Sequence, residues 1–126
     1  MRSNLLFLTA LLLLVSVPVL AHHAFAAEYD SKATMNVTGV VTKIEWTNPH
    51  AYIYMDVTED SGKVTNWAFE GYPPNTLKRT GFSRDLLKVG DKIEMTGAKA
   101  KDGANRAAGR EITLPDGKKV FLGPAQ

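Results

Sequence analysis

From Ala51 onward the apolar residues fall on every second position: Ala51, Ile53, Met55 and Val57 alternate with Tyr52, Tyr54 and Asp56. A period of two is the spacing of a strand with one face buried, and it rules out a helix across this stretch. Asp60-Ser61-Gly62 then reads as a hairpin turn into a second run, Lys63 to Glu70, in which Trp67 and Phe69 share one parity. A chain patterned this way must build a sheet.

The same punctuation organises the rest of the sequence. Met35 to Trp46 is rich in Val, Thr and Ile, and its apolar residues change parity near Gly39, which predicts a long, bulged first strand closed by the turn Thr47-Asn48-Pro49. After Gly71 the pattern changes. Pro73-Pro74-Asn75 leads into a short helical turn, Thr76 to Arg79, ended at Gly81, and Ser83 to Leu87 reads as a second capped turn. Strand signals resume at Lys92 to Ala100, with Ile93 and Met95 inward. They continue, after a loop from Lys101 to Arg106, at Arg110 to Leu114 and, past Pro115-Asp116-Gly117, at Lys118 to Leu122. Three strands, a short helical segment between strands three and four, and two or three further strands predict an all-β fold. The expected form is a small OB-like Greek-key barrel of five to six strands. A β-sandwich is the main rival, and the helical insertion favours the barrel.

The amino terminus carries a different message. Arg2, the apolar run Leu5 to Val15, Pro18, and the small residues Val19 and Ala21 form a secretory signal with cleavage expected after Ala21. Leu5 to Leu20 is shorter than the roughly 20 residues needed to span a bilayer, so a retained anchor is the weaker reading. A second cleavage site at Ala24-Phe25-Ala26 lies further from the apolar core. The expected organisation is a signal peptide over 1–21, a lead-in over 22–34 and one barrel domain over 35–126, with no membrane span after cleavage and a periplasmic location. The absence of Cys removes disulfides and thiolate metal sites from consideration. Arg2 is the only charged residue in the leader, so the mature charge stays close to the whole chain's +2, a poor match to a nucleic-acid backbone.

Three segments carry a family resemblance: His22-His23-Ala24-Phe25-Ala26-Ala27-Glu28-Tyr29-Asp30, Val40 through His50, and Lys88-Val89-Gly90-Asp91. Together they resemble DUF6152, a family of exported bacterial proteins of unknown function. The resemblance implies a periplasmic protein of Gram-negative bacteria in which both histidine motifs are typical. It implies no activity.

Chemistry is therefore argued from the histidines, of which there are three: His22, His23 and His50. Cleavage after Ala21 would leave His22 with a free amine beside its imidazole, a chelating pair, and His50 is the natural third nitrogen from the fold. An all-nitrogen set of this kind suits copper, since Cu(II) heads the affinity order for nitrogen sites, and zinc accepts similar donors. Phe25 and Tyr29 are the large residues available to pin the terminal segment against the barrel. A solvated terminus and a hydrogen-bonded turn histidine account for the same residues without a metal. Met35, Met55 and Met95 sit in strand patterns and read as core filling.

A second constellation is aromatic. Tyr52 and Tyr54 share the outward parity of the second strand and, with Trp67 of the third, form the expected ligand or partner face of such a barrel. Lys99, Lys101, Arg106 and Arg110 cluster near the loop before the fifth strand, but Asp102 and Glu111 dilute them, and a solvated loop is expected. Glu45, Asp56 and Glu70 show no spacing that identifies an acid–base pair, and no nucleophile triad or phosphate-cradling glycine loop is present. The sequence thus points to a small, non-enzymatic periplasmic binding protein with copper on His22, His23 and His50. The alternative is a metal-free interaction module that binds a periplasmic protein or a small ligand through its aromatic face. A copper-dependent oxidase is a third and weaker possibility, because so short a chain shows no substrate cleft.

Overall fold

The alternation around Ala51 to Glu70 folds into a hairpin, and the remaining strands extend it into one sheet. The structure is a computed structural model and describes residues 24–124. Its strands are β1 (Tyr29–Glu45), β2 (Tyr52–Thr58), β3 (Val64–Glu70), β4 (Lys92–Ala100), β5 (Arg106–Thr113) and β6 (Lys119–Phe121). A short helix, Pro74–Arg79, and a 3₁₀ turn, Arg84–Leu86, lie between β3 and β4. The protein is mostly β, with six strands in one sheet ordered β3-β2-β1-β4-β5-β6 and antiparallel between neighbours. One further pairing is parallel: Ala68, Phe69 and Glu70 of β3 lie against Arg106, Ala107 and Ala108 of β5.

Inward parity decides the core. Ile53, Met55 and Val57 of β2 face Phe69, Trp67 and Thr65 across the β2–β3 ladder, and Ile93, Met95 and Ile112 join them from β4 and β5. The segment after β3 plugs one end of this core with Leu77, Phe82 and Leu87, and Trp46 packs its ring 5.3 Å from that of Phe82. Pro74 opens the helix, and Gly81, at φ +89, ends it in a conformation that an L side chain rarely adopts.

Three differences from the expected boundaries have local causes. β1 begins at Tyr29 rather than Met35, because Tyr29 and Thr34 still pair with Ala100 and Ala98 of β4, with residues 30–33 forming an irregularity between them. Only residues 24–28, one helical turn, precede it within the described part of the 22–34 lead-in. The parity change in β1 is produced by a bulge between Val41 and Lys43, which moves the buried side from Val41 to Ile44 and Trp46. Gly39 serves close approach instead: a Cβ there would lie 2.4 Å from the Asp56 carbonyl oxygen and 2.7 Å from Met55 Cε. Finally, β5 begins at Arg106, four residues before Arg110, because the small residues Ala107, Ala108 and Gly109 carry no alternating pattern, yet Ala107 and Ala108 pair on both sides and Gly109 pairs with Gly97 of β4.

Gly39→Ala should lower stability by about 1–3 kcal/mol, because the added methyl meets backbone on a strand held from both sides. Val64→Ala, on an exposed strand end, should stay within about 0.5 kcal/mol. Urea unfolding of the two variants beside the wild type checks the contrast.

Candidate functional site

The outer face of the sheet is unusual where β4, β5 and β3 meet, because its positions there are filled by alanine. Ala100 and Ala108 are buried with Tyr29 in a cluster separate from the main core, and Phe25 packs against it. Lacking long side chains, this patch lets the start of β1 and the preceding helical turn lie across it. The Phe25 and Tyr29 rings stand 5.3 Å apart, and the Arg106 guanidinium lies 5.5 Å from the Tyr29 ring centre. The β4–β5 loop holds the same segment by its backbone: Lys101 N–H donates to the Glu28 carbonyl at 2.9 Å and its ammonium to the Ala26 carbonyl. Arg106 also lies 3.7 Å from the carboxylates of Glu28 and Asp102. The expected solvated loop is thus a clamp on the N-terminal segment.

Glu70 stands at the centre of this region. It faces Tyr52 across the β2–β3 ladder and Ala108 across the β3–β5 pairing. The Tyr29 hydroxyl donates to Glu70 Oε2, and His50 Nδ1 is hydrogen-bonded to Glu70 Oε1. His50 is brought to it by backbone bonds on both sides of Ala51, which donates to the Tyr72 carbonyl at 3.1 Å and accepts from Gly71 N–H at 2.8 Å. The Thr47 hydroxyl, donating to the His50 carbonyl at 3.1 Å, closes the Asn48-Pro49 turn before it. The Glu70 side chain is 14% exposed and that of His50 45%, so the carboxylate is sheltered while the imidazole opens to solvent.

A carboxylate at Nδ1 selects the tautomer in which Nδ1 carries the proton, and the neutral ring then presents a lone pair at Nε2. Nε2 has no hydrogen-bond partner among the described residues. This is the arrangement that orients a metal-binding imidazole from its far side. Burial, with the Glu70 acceptor adding to it, pushes the Tyr29 phenol far above its ordinary value. Burial also raises Tyr52, helped by the Glu70 charge and opposed by Arg106.

The residues singled out from sequence fall into separate groups. His22 and His23 lie outside the described residues. Among the described residues no three His, Asp or Glu side chains gather as a metal cluster; His50 and Glu70 form a pair. Tyr52 and Tyr54 do share the outer face, their ring centres 6.3 Å apart. Tyr54 is already engaged, its hydroxyl donating to Glu45 Oε2 at 3.2 Å and Lys43 lying 5.1 Å from its ring centre. Trp67 does not belong with them: opposite Met55 in the ladder, it packs on the inner face beside Phe69. Tyr29, Glu70 and Arg106 were missed as site residues. The outward parity of Tyr52 matched to Glu70 was the available signal, but joining them to Tyr29 and Arg106 requires the β3–β5 pairing.

Because Tyr29 ionises later in the folded protein than in the unfolded chain, its contribution to stability is constant below the ordinary value of 10.0. It is lost as pH rises beyond that value, where only the unfolded chain gives up the proton. Stability should therefore fall with alkaline pH, and Tyr29→Phe should reduce the slope by about one proton. Chemical denaturation between about pH 9 and 12 measures both slopes.

No curated protein matches the chain, and no solved structure does. A family model does match, over residues 10–110, which takes in every strand from β1 to β4, Glu70, His50 and the start of β5. The chain belongs to this family of unknown function, DUF6152.

Proposed function

We propose that this is an exported periplasmic metal-binding protein, with copper the preferred ion, in which His50 and the mature terminal residues His22 and His23 supply nitrogen donors at the rim of an OB-like barrel. The observation that carries the proposal is the hydrogen bond between Glu70 and His50 Nδ1, which orients a partly exposed ring and leaves its Nε2 without a hydrogen-bond partner among the described residues. An ordinary turn histidine has no need of a sheltered carboxylate braced by a buried tyrosine.

The barrel proposal is supported by strand order. A sheet in which β3 returns to pair parallel with β5, with a helical segment between β3 and β4, follows the OB pattern. The β1–β2 and β4–β5 loops of that fold commonly bind ligands; here the first carries His50 and the second holds residues 26 and 28. Phe25 packs beside Tyr29, and a mature terminus at His22 would be separated from it by three residues of chain, a reach of at most ~10 Å. An amine and imidazole from His22, with His50 opposite, make an all-nitrogen set that favours Cu(II), and His23 is a further donor.

Export is proposed from the signal at 1–21, with cleavage after Ala21. The mass of the exported protein should correspond to a start at His22; a start at Ala27 would remove both terminal histidines and overturn the proposal. Titration of that protein with Cu(II) should show one tight site. His50→Ala should weaken it at least as much as the roughly 10–100-fold typical of losing an outer partner of a ligand, and should alter its visible and EPR spectra. Affinity and spectra unchanged by His50→Ala would sink the three-histidine site.

A further inference from the structure

Glu70 has two carboxylate oxygens, and the fold spends them on opposite tasks. Oε1 holds His50 at the end of the β1–β2 loop, and Oε2 holds Tyr29 at the start of β1. The backbone beneath is fixed on both sides, by Tyr52 of β2 and Ala108 of β5, so the carboxylate cannot follow one partner without straining the other bond. Tyr29 in turn is the residue on which Phe25 and Arg106 pack, and Arg106 reaches Glu28.

We infer that Tyr29 is a positioning residue that couples the state of the His50 imidazole to the anchoring of residues 24–28, with Glu70 as the shared link. The inference rests on the metal-binding proposal above and adds its regulation. A cation at Nε2 withdraws electron density from the ring and makes Nδ1–H a stronger donor to Glu70. A carboxylate drawn more firmly into place holds the Tyr29 hydroxyl in a more fixed geometry, and the segment riding on Tyr29 opens less often. Linkage makes the effect reciprocal: a docked segment holds Glu70 where His50 needs it and so raises metal affinity. Such coupling would make the two parts of the site, one on a loop and one on a terminal segment, assemble together.

Amide hydrogen exchange on the exported protein, without metal and with one equivalent of Cu(II), tests this in wild type, Tyr29→Phe and Glu70→Gln. Tyr29→Phe keeps the ring and removes only the hydroxyl; Glu70→Gln keeps the shape and turns one oxygen into a donor. In wild type, Cu(II) should slow exchange of residues 24–28 by at least about tenfold. In both variants most of that slowing should vanish while a Cu(II) site remains, weakened by about 10-fold or less in Tyr29→Phe and with a changed EPR spectrum in Glu70→Gln. A tether through His22 alone would give equal slowing in wild type and Tyr29→Phe, and that result overturns the coupling while leaving metal binding intact. Wild type that takes up no Cu(II) overturns metal binding itself, and the coupling with it. Should Tyr29→Phe fail to fold, Glu70→Gln decides by the same comparison.

Discussion

The parallel pairing of β3 with β5 is the contact on which the rest of the molecule depends. In the order β3-β2-β1-β4-β5-β6, these strands are separated by three others, and a flat sheet would hold them far apart. Joining Ala68–Glu70 to Arg106–Ala108 brings the two strands together and places Tyr52, Glu70, Ala108 and Arg106 on adjacent strands of one outer face. The chain end secures the join. Leu122 N–H donates to the Arg110 carbonyl at 2.8 Å, Tyr72 N–H donates to the Leu122 carbonyl at 2.7 Å, and the Leu122 side chain fills the space left by Gly71 and Gly109. A Cβ at either glycine would strike it.

What anchors the N-terminal segment to that face is settled by magnitude. The ion pairs of Arg106 with Glu28 and Asp102, at 3.7 Å and partly exposed, belong to a class that contributes about 0–1 kcal/mol each and weakens with salt. Burying a tyrosine ring on alanines contributes about 1.5–3 kcal/mol, and its charge-assisted bond to Glu70 adds about 1.5–3 more. The aromatic residue is therefore the anchor, and the charges around it select orientation. A larger side chain at Ala100 or Ala108 would remove the anchor by occupying its seat.

Most of the fold was legible because its strands obey a simple period. β2 alternates cleanly, β3 and the first half of β4 follow the same period closely, and their ends fall within a residue or so of the positions that the turn residues mark. Legibility failed where side chains stop reporting burial. At Ala107, Ala108 and Gly109 both faces are covered but neither is written in large apolar residues, so half of β5 passed for loop. At residues 30–32 a strand runs through Asp, Ser and Lys, with Ser31 and Lys32 exposed. The site suffered more than the fold, because its members come from β1, the β1–β2 loop, β3 and β5. Of the residues that meet Glu70, the sequence marks His50 and Tyr52 as candidates, each for a separate reason. Tyr29 was read as an anchor without its carboxylate, and Glu70 as a carboxylate without its partners. Trp67 was placed with the outer tyrosines although its own parity with Phe69 already put it inside.

The engagement of Glu70 also bears on which ions the region can hold. A carboxylate free to turn beside a histidine would invite hard cations such as Mg²⁺ or Ca²⁺, which seek oxygen. Here one oxygen accepts from a phenol that burial keeps protonated and the other from an imidazole N–H. Each oxygen keeps a second lone pair, but the two bonds fix where the carboxylate can reach, and a swing that broke the Tyr29 bond would leave a sheltered hydroxyl without an acceptor, at a cost of about 1–3 kcal/mol. On the metal-binding proposal, the carboxylate would act from the outer sphere, where it would raise the basicity of the imidazole. The donors of the proposed site would then be nitrogen, and nitrogen donors discriminate against hard cations and in favour of the later first-row metals, with Cu(II) at the head. Selectivity in such a site would come from hydrogen bonds that fix where an oxygen can reach as much as from the nitrogens themselves.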